Sequence, residues 1–332
     1  MPTLTLREAE QLVVTTLVRC RTSEANAASV ARALVAAEAD GLKGHGLSRL
    51  PSYAGQAIAR KVDGLAVPTV TRPRPGLLAI DAAHGFAYPA LDLVVAGLPA
   101  VTREQGLAAA AIRRSHHCGA AGHVPERLAE LGFVALLFAN TPAAMAPWGG
   151  SKPVFGTNPI GFACPVAGGP PVVVDLSLSK VARGNILAAK QRGEAIPPDW
   201  ALDETGRPTE NPDAALRGTM IPIGEAKGTA LALMVELLAA GLTGANFAAE
   251  CASFLDAEGP PPGTGQLLLA FEPSAFGGPD VLARFTALAH AVTEQPGARL
   301  PGARRLASRR RAASDGLTVP DDLLRAIEAL SA

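Results

Sequence analysis

The stretch LAAAAIRRSHHCGAAGHVPERL, residues 107–128, contains the pattern on which the fold prediction depends. Its apolar run 107–112 has the length of a buried strand, and residues 124–131 have the composition of a helix. Between them, the small residues 119–122 allow backbone amides to approach an anion such as a phosphate at the start of that helix. The chain contains no G-x-G-x-x-G motif after a strand and no G-x-x-x-x-G-K-[S/T] motif, so an ordinary Rossmann or P-loop domain is not supported.

Other apolar runs and helical patterns surround this stretch. The predicted strands are 77–80, 107–112, 133–139, 172–174 and 267–271, and the predicted helices that follow residue 41 are 90–105, 124–131, 227–242, 281–293 and 322–330. Two helices are predicted within residues 5–41, because Thr5 and Glu8 have the spacing of a capping box and Ser23 is a good N-cap residue. We therefore expect an α/β fold in which a non-Rossmann, cofactor-binding sheet domain accompanies a helical lobe built from both chain termini.

These changes of pattern predict three units. The helical lobe comprises residues 1–75, joined by residues 280–332 from the C-terminus. The sheet domain comprises 76–183 and 219–279. The segment 184–218 is rich in proline, glycine and charge, and it predicts a small subdomain made of a short helix and turns over the substrate site.

Composition excludes several classes of partner. Lys plus Arg and Asp plus Glu number 30 each, so no net charge favours nucleic acid or an anionic membrane. Small molecules and other copies of the chain are the expected partners. The four cysteines lack paired spacing, which is typical of reduced thiols in a cytoplasmic protein. No cleaved leader is expected, and the apolar stretch 228–242, interrupted by Glu236, is too short to span a bilayer.

The segment GHGLSRLP, residues 44–51, places a histidine and an arginine four residues apart, where an alanine-rich helix gives way to glycines. Histidine is the commonest proton donor near neutral pH, and the guanidinium fork of arginine is the best ligand for a planar carboxylate. His45 and Arg49 are therefore candidates for a proton donor and a carboxylate ligand. The alternative is that His45 only packs or caps a helix end.

The histidines of the segment 115–123 raise a second question, that of a metal site. His116, His117, Cys118 and His123 could be taken for zinc ligands. Their spacings match none of the usual zinc patterns, and no acidic general base accompanies them, so no metal is predicted.

Five motifs occur in one order along nearly the whole chain. They are GHGLSRLP (44–51), HCGAAG (117–122), APWGG (146–150) with GTNPI (156–160), VARG (181–184) and KGTALALMVE (227–236). In these motifs the chain resembles the malate/L-lactate dehydrogenase family, which is unrelated to the Rossmann lactate dehydrogenases. That family includes dehydrogenases of 2-hydroxy acids and reductases of cyclic imino acids. The resemblance therefore implies an NAD(P)H-dependent oxidoreductase but leaves the substrate open.

The resemblance also implies roles for individual residues. His45 matches the proton donor, and Arg49, Thr157, Arg183 and Gly184 match substrate contacts. The residues that match cofactor contacts are His117, Cys118, Gly119, Ala120, Ala121, Asp175, Leu176, Ser177, Lys227, Arg299, Leu300, Pro301, Gly302, Ala303, Arg304 and Arg305. The basic C-terminal segment favours NADPH, with NADH as the alternative, although a solvated basic face is the ordinary interpretation of such a run. The family further implies a homodimer.

The chain departs from the imine-reducing members of the family beside the histidine. Those members carry a serine before the histidine and an aspartate two residues after the arginine of the Ala-Arg pair, where this chain has Gly44 and Asn185. Neither residue can act as an ionised partner for His45. The usual Gly-His-Lys-Gly motif likewise reads EAKG at 225–228.

These departures favour a substrate that brings its own proton. A keto acid needs a proton delivered to the forming alkoxide, whereas the nitrogen of a cyclic imine can enter already protonated. We therefore expect reduction of Δ1-pyrroline-2-carboxylate to L-proline and of Δ1-piperideine-2-carboxylate to L-pipecolate. The alternatives are a 2-hydroxy-acid dehydrogenase for malate, lactate, ureidoglycolate or a similar acid, and a non-catalytic cofactor-binding protein.

Overall fold

The fold, seen in a computed structural model that describes residues 2–330, is a mixed sheet flanked by helices. Its α-helices are α1 (Leu6–Arg19), α2 (Glu24–Ala39), α3 (Leu50–Ile58), α4 (Ala87–Gln105), α5 (His123–Glu130), α6 (Arg183–Arg192), α7 (Pro212–Arg217), α8 (Ala226–Glu236), α9 (Pro273–Gly277), α10 (Val281–Thr293), α11 (Ala303–Asp315) and α12 (Asp321–Ala329). Its strands are β1 (Thr3–Leu4), β2 (Thr69–Arg74), β3 (Leu77–Asp81), β4 (Leu107–Ser115), β5 (Val134–Ala139), β6 (Ile160–Cys164), β7 (Val172–Leu176), β8 (Ala201–Leu202), β9 (Thr219–Met220), β10 (Thr264–Phe271) and β11 (Leu317–Thr318). Short 3₁₀ helices cover Lys43–His45, Leu47–Arg49 and Ala248–Glu250, and a π-helix covers Leu237–Gly241.

The central sheet has seven strands in the order β2-β3-β4-β10-β5-β6-β7. Strands β3 and β4 pair in parallel, and the other neighbours pair antiparallel. The middle strand β10 places Leu268 opposite Ala110 of β4 and Leu137 of β5, and all three side chains are buried. This topology differs from the parallel sheet of a Rossmann domain and confirms the predicted non-Rossmann α/β class.

Alternate side chains of β10 enter two different cores, as the pleat of a strand requires. Leu268 and Ala270 belong to the core that α4, α5 and the helical lobe share with one face of the sheet. Leu267 belongs to a second core with Val235 of α8 and Ala239 of the π-helix. The predicted apolar helix 227–242 therefore packs against the sheet, opposite the helical lobe.

Both chain termini build the helical lobe, as predicted. The Thr5 side chain caps α1 in a capping box with Glu8, and the Ser23 side chain caps α2. Strand β1 pairs with β11, which places Leu4 opposite Leu317, and α11 packs against α2. The first and last segments of the described chain are thus joined by backbone hydrogen bonds.

Strands β2 and β6 were not predicted. Strand β2 is exposed along its whole length and contains Pro73, so it lacks the apolar run that indicates a buried strand. Strand β6 contains Gly161, where an added Cβ would lie 2.1 Å from the carbonyl oxygen of Ala121. Because β2 pairs with β3, part of the range 1–75 that was assigned to the helical lobe belongs to the sheet.

Helix α10 also departs from the predicted division of the chain. The Thr286 hydroxyl of α10 accepts a hydrogen bond from the backbone of Ala167, which lies between β6 and β7. Part of the range 280–332 therefore contacts the sheet domain, and the exact boundaries of the three units stay a prediction.

The segment 184–218, predicted to form one short helix with turns, contains most of α6, all of α7 and strand β8, so it has a second helix that was not predicted. Strand β8 pairs with β9, which lies just beyond the segment, and a small core joins Ile186 and Ala189 to Met220 of β9. All four cysteines are free thiols. None of the helices within residues 2–330 is long and apolar enough to cross a membrane.

Candidate active site

His45 and Arg49 lie on two consecutive 3₁₀ turns that connect α2 to α3. The buried Glu38 carboxylate at the end of α2 accepts a hydrogen bond of 2.9 Å from the backbone of Leu47. Gly46 is required here, because an added Cβ would lie 2.2 Å from the same carboxylate. Glu38 therefore stabilises the connection between α2 and α3, a role that the sequence did not predict.

The His45 ring packs against a second histidine, and its Nδ1 nitrogen has no hydrogen-bond partner among the described residues. It stacks on the ring of His117, with 5.2 Å between centroids and 14° between planes. Its Nδ1 atom is buried and makes no hydrogen bond with the described residues. Burial, and secondarily the positive charge of Arg49, lowers the pKa of His45 to about 4. His45 is therefore neutral near pH 7.

Arg49 supplies positive charge beside this pair of rings. Its Nε atom donates a hydrogen bond of 2.6 Å to the carbonyl oxygen of Gly44, and no ion pair joins it to an acidic side chain within residues 2–330. After the effect of burial, its charge lowers the pKa values of both His45 and His117. An unpaired guanidinium of this kind fits the carboxylate of a ligand.

The two histidines after β4 are held by different partners. His117 Nδ1 lies 2.6 Å from the hydroxyl of Tyr53, whereas His116 Nε2 lies 2.7 Å from the side-chain oxygen of Gln56. The Phe254 ring lies 5.1 Å from the His116 ring and 5.3 Å from the His117 ring. No group of three or more His, Cys, Asp and Glu side chains in the described part of the chain is arranged to hold a metal ion.

Three of the predicted cofactor stretches converge beside the His117 loop. Asp175, at the end of β7, accepts a hydrogen bond of 2.8 Å from the backbone of Gly122. An added Cβ on Gly122 would lie 3.0 Å from Val173, and one on Gly302 would lie 3.3 Å from the carbonyl oxygen of Val173. Gly119 has a φ of +71°, a conformation that favours glycine. Small residues thus allow this buried loop to pack closely against Tyr88, Val173 and Asp175 at the start of α5.

Solvent reaches the Asp175 side chain, yet the surrounding protein raises the pKa of its carboxyl through desolvation. This combination is that of a carboxyl group lining a cleft. The neighbouring Ser177 hydroxyl lies 2.7 Å from that of Ser179, and the Leu176 side chain is exposed.

The basic C-terminal segment is divided between two environments. Arg305 is mostly buried and pairs with Glu126 at 2.7 Å and with Asp40 at 3.1 Å. Arg299 and Arg304 are exposed and form no ion pair with a described residue. Arg305 is therefore engaged within the protein, and a contact between its guanidinium and a cofactor stays a prediction.

Four other predicted site residues lie on other elements of the fold. Thr157 donates its backbone N–H to the Thr141 hydroxyl at 2.9 Å, and Arg183 donates to the carbonyl oxygen of Leu216 at 3.1 Å. Gly184 is exposed in the first turn of α6. No hydrogen bond within residues 2–330 joins these residues to His45 or Arg49.

Lys227, the fourth, lies in the first turn of α8. It lines an open cleft of about 560 Å³ together with Trp148, Lys180 and Asp199. Neither His45 nor Arg49 lines this cleft, so the structure does not bring Lys227 together with them.

Glu236 is a buried site residue that the sequence analysis treated only as an interruption of an apolar helix. Its carboxylate accepts hydrogen bonds from the side chains of Asn140 at 3.1 Å and Asn158 at 2.8 Å, and from the backbone of Ala248 at 2.7 Å. Asn158 has a φ of +39° and follows Thr157 directly. Glu236 thus supports the loop that carries a predicted substrate contact, and its signal in the sequence is an acid inside an otherwise apolar helix.

Comparison with known proteins identifies the family of this chain. A family model described as malate/L-lactate dehydrogenase matches residues 4–328. The chain is 50% identical over 326 residues to a (2R)-3-sulfolactate dehydrogenase (NADP(+)) from Chromohalobacter salexigens, covering 98% of this chain and 97% of that protein. It is 43% identical over 330 residues to a Δ1-pyrroline-2-carboxylate/Δ1-piperideine-2-carboxylate reductase from Pseudomonas aeruginosa, covering 98% of each chain.

A solved structure shows the same fold along the whole chain. The crystal structure of Δ1-piperideine-2-carboxylate reductase from Pseudomonas syringae matches with a TM-score of 0.94 at 37% identity, over 99% of this chain and 100% of that one. The family match, the non-Rossmann sheet and the predicted motifs agree with one another. This chain therefore belongs to the malate/L-lactate dehydrogenase family and is an oxidoreductase.

Proposed function

We propose that this enzyme reduces cyclic imino acids, converting Δ1-pyrroline-2-carboxylate to L-proline and Δ1-piperideine-2-carboxylate to L-pipecolate. The observation that carries the proposal is the pairing of a neutral, unpartnered His45 with an unpaired Arg49. Arg49 would bind the substrate carboxylate through its free N–H groups. A ring that stays neutral at pH 7 is a weak source of protons, which suits a substrate that arrives protonated.

The reaction balances with an iminium substrate. A reduced nicotinamide cofactor, when bound, supplies a hydride to C2, and the C=N double bond becomes a C–N single bond. The proton already on the nitrogen remains there, so no side chain has to deliver one during hydride transfer. Arg49 holds C2 in place through the carboxylate, and His45 with His117 forms one wall of the site.

The residues around the His117 loop fit a nicotinamide dinucleotide. The loop leads into the N-terminus of α5, whose backbone amides favour an anion such as a phosphate, and the exposed carboxyl of Asp175 can accept hydrogen bonds from ribose hydroxyls. The exposed Arg299 and Arg304 can contact a further phosphate. We propose NADPH as the preferred cofactor, which the basic segment and the name of the C. salexigens relative support.

A second candidate function is the oxidation of a 2-hydroxy acid such as (2R)-3-sulfolactate. The observation that favours it is the 50% identity to the enzyme of that name. In this direction a neutral His45 would accept the hydroxyl proton while C2 gives up a hydride. Arg49 would again bind the carboxylate.

A spectrophotometric panel would distinguish these functions. Oxidation of NADPH and of NADH would be followed with the two cyclic imines, pyruvate, oxaloacetate and 3-sulfopyruvate, with Arg49→Ala as the matched control for each substrate. We expect turnover of the imines with NADPH and its loss in the control. Robust turnover of a keto acid beside negligible imine turnover would refute the substrate proposal. Absence of turnover with all substrates would support the non-catalytic alternative.

We also propose that the enzyme forms a homodimer and works in a reducing compartment such as the cytoplasm. Apolar side chains on the outer face of α8 and the π-helix, among them Leu231, Leu233 and Leu237, are 41–54% exposed, and such a patch is typical of an interface. Four free thiols suit a reducing environment. Analytical ultracentrifugation of the wild type and of Leu237→Glu would test the dimer, which should dissociate in the variant.

A further inference from the structure

The hydroxyl groups of Tyr53 and Tyr88 form a buried chain that ends on His117. The two hydroxyl oxygens lie 3.1 Å apart, and that of Tyr53 lies 2.6 Å from His117 Nδ1. Tyr53 is completely buried, and Tyr88 and His117 are each 6% exposed. Each of these bonds can run in either direction, so the position of the proton on His117 has to be worked out from the chain as a whole.

The end of the chain determines its direction. Tyr88 makes no hydrogen bond through its hydroxyl to a described residue other than Tyr53. If Tyr88 donates to Tyr53 and Tyr53 donates to His117 Nδ1, both hydroxyl hydrogens have an acceptor. If the chain runs the other way, the Tyr88 hydrogen is buried with no acceptor, which is unfavourable. Burial raises the pKa of Tyr53 to about 12, so its proton is retained near pH 7.

We propose that Tyr53 is a positioning residue that fixes His117 as the tautomer protonated on Nε2. Because Nδ1 is occupied as an acceptor, the single proton of the neutral ring must lie on Nε2. Burial and, secondarily, the positive charge of Arg49 hold the pKa of His117 well below its ordinary range, so the ring does not become a cation near pH 7. His117 is thus an uncharged N–H donor near pH 7.

This donor is available to a ligand in the site. His117 stacks directly on His45, and within residues 2–330 its Nε2 atom makes no hydrogen bond. A neutral N–H donor matches a carbonyl-type oxygen, which could belong either to the carboxamide of the cofactor or to the carboxylate of the substrate. This part of the inference rests on the proposed function, whereas the tautomer does not.

The tautomer can be read directly by long-range ¹H–¹⁵N correlation NMR on protein labelled with ¹⁵N-histidine. The chain has six histidines, and the signals of His117 would be assigned by their loss in His117→Gln. In the wild type, Nδ1 should give the shift of an unprotonated nitrogen and Nε2 that of a protonated one. Protonation on Nδ1 in the wild type would overturn the proposal without the need for any other variant.

Tyr53→Phe tests the positioning role, and Tyr88→Phe is its matched control. Tyr53→Phe keeps the buried ring but removes the donor to Nδ1, so the His117 signals should shift towards the Nδ1-protonated form. Tyr88→Phe removes a neighbouring hydroxyl and leaves the Tyr53 bond to His117 intact, so the tautomer should be that of the wild type. Identical spectra for the wild type and Tyr53→Phe would contradict the role of Tyr53.

Kinetics would then show which ligand receives the hydrogen bond. We expect kcat/KM to fall about 10- to 100-fold in Tyr53→Phe, the usual effect of losing one buried hydrogen bond, and to change little in Tyr88→Phe. A higher KM for NADPH would identify the cofactor as the acceptor, and a higher KM for the imine would identify the substrate. A changed tautomer with unchanged kinetics would overturn the donor role. Wild-type enzyme inactive on every substrate would refute the proposed function and leave the NMR result standing.

Discussion

Two clusters of ionisable side chains lie at the C-terminal end of α2, and they differ in how completely their members are paired. In the first, Asp40 and Glu126 each receive hydrogen bonds from both Arg305 and Arg309, at 2.7–3.2 Å. In the second, His45 has a buried nitrogen without a partner, and Arg49 forms no ion pair within residues 2–330. Only four residues lie between the buried Asp40 and His45 in the chain.

This difference in pairing indicates that the first cluster is structural and that the second is available to a ligand. Burial alone would raise the pKa of Asp40, but hydrogen bonds from His123 and Arg309 overcome it and hold that pKa at about 2. The paired cluster is complete and joins α2, α5 and α11. At His45 burial acts without such compensation, and the ring is kept neutral. Hydrogen-bonding capacity that the protein leaves unused is what a substrate can complete.

Breaking the paired cluster should produce the largest effect. Asp40→Asn removes one buried carboxylate that faces two arginines, and we expect a loss of about 3–5 kcal/mol in the free energy of unfolding. Urea denaturation would measure it. The control is Glu104→Gln, which removes an exposed pair with Arg72 and should change the free energy of unfolding far less, because solvent screens the pair. Equal losses in the two variants would mean that the buried cluster does not stabilise the lobe.

In the unpaired cluster, His45→Ala should reduce activity with little loss of stability. Turnover of a cyclic imine should fall by about 10- to 1000-fold, within the range of general acid catalysis or below it, because the substrate carries its own proton. Reduction of a keto acid should fall further. Turnover would be measured against pH with Δ1-pyrroline-2-carboxylate and pyruvate, and the residual imine activity should decline above the pKa of the imine nitrogen. An unaffected enzyme would assign His45 a packing role.

Arg49→Lys should act on one ligand only. It replaces a planar fork with a point charge, so the KM for the imine should rise by about 10- to 100-fold, while the KM for NADPH should change little. Steady-state kinetics with each ligand varied in turn would show this. The control is Arg310→Lys on the exposed face of α11, which should leave both constants unchanged. Equal changes in both constants for Arg49→Lys would indicate that Arg49 is structural.

The smallest effect should be seen in the pH dependence of stability, because the two clusters lose their contributions in different pH ranges. His45 keeps a pKa of about 4 in the folded state against 6.5 ordinarily, so its contribution to stability is lost as pH falls from 6.5 towards 4. Asp40 has a pKa of about 2 in the folded state against an ordinary 3.8, so its contribution to stability is lost only as pH falls from 3.8 towards 2. Urea unfolding of His45→Gln should show a shallower loss in the upper window and an unchanged loss in the lower one. A change confined to the lower window would contradict the assignment.

Much of the fold was predictable because the patterns that indicate its helices and strands lie within short stretches of the sequence. Helix α1 begins where the capping box of Thr5 and Glu8 predicts, and β4, β5 and β10 follow their apolar runs. Strand β2 was missed because an exposed edge strand buries nothing and so needs no apolar pattern. The lack of an acidic partner for His45 was also predictable, since the residue before it in the chain is Gly44.

Sequence alone therefore determined the elements with a clear apolar or capping pattern, the non-Rossmann class and the candidate pair His45 and Arg49, all of which depend on residues close together in the chain. Only the tertiary structure decided which partners they meet. Arg305 pairs with Asp40 across 265 residues, and Tyr53 reaches His117 across 64. Such contacts depend on how whole elements pack, because a side chain's partner is set by position in space. For the same reason Glu236 reads as an interruption in the sequence and lies at the centre of a hydrogen-bond network in the fold.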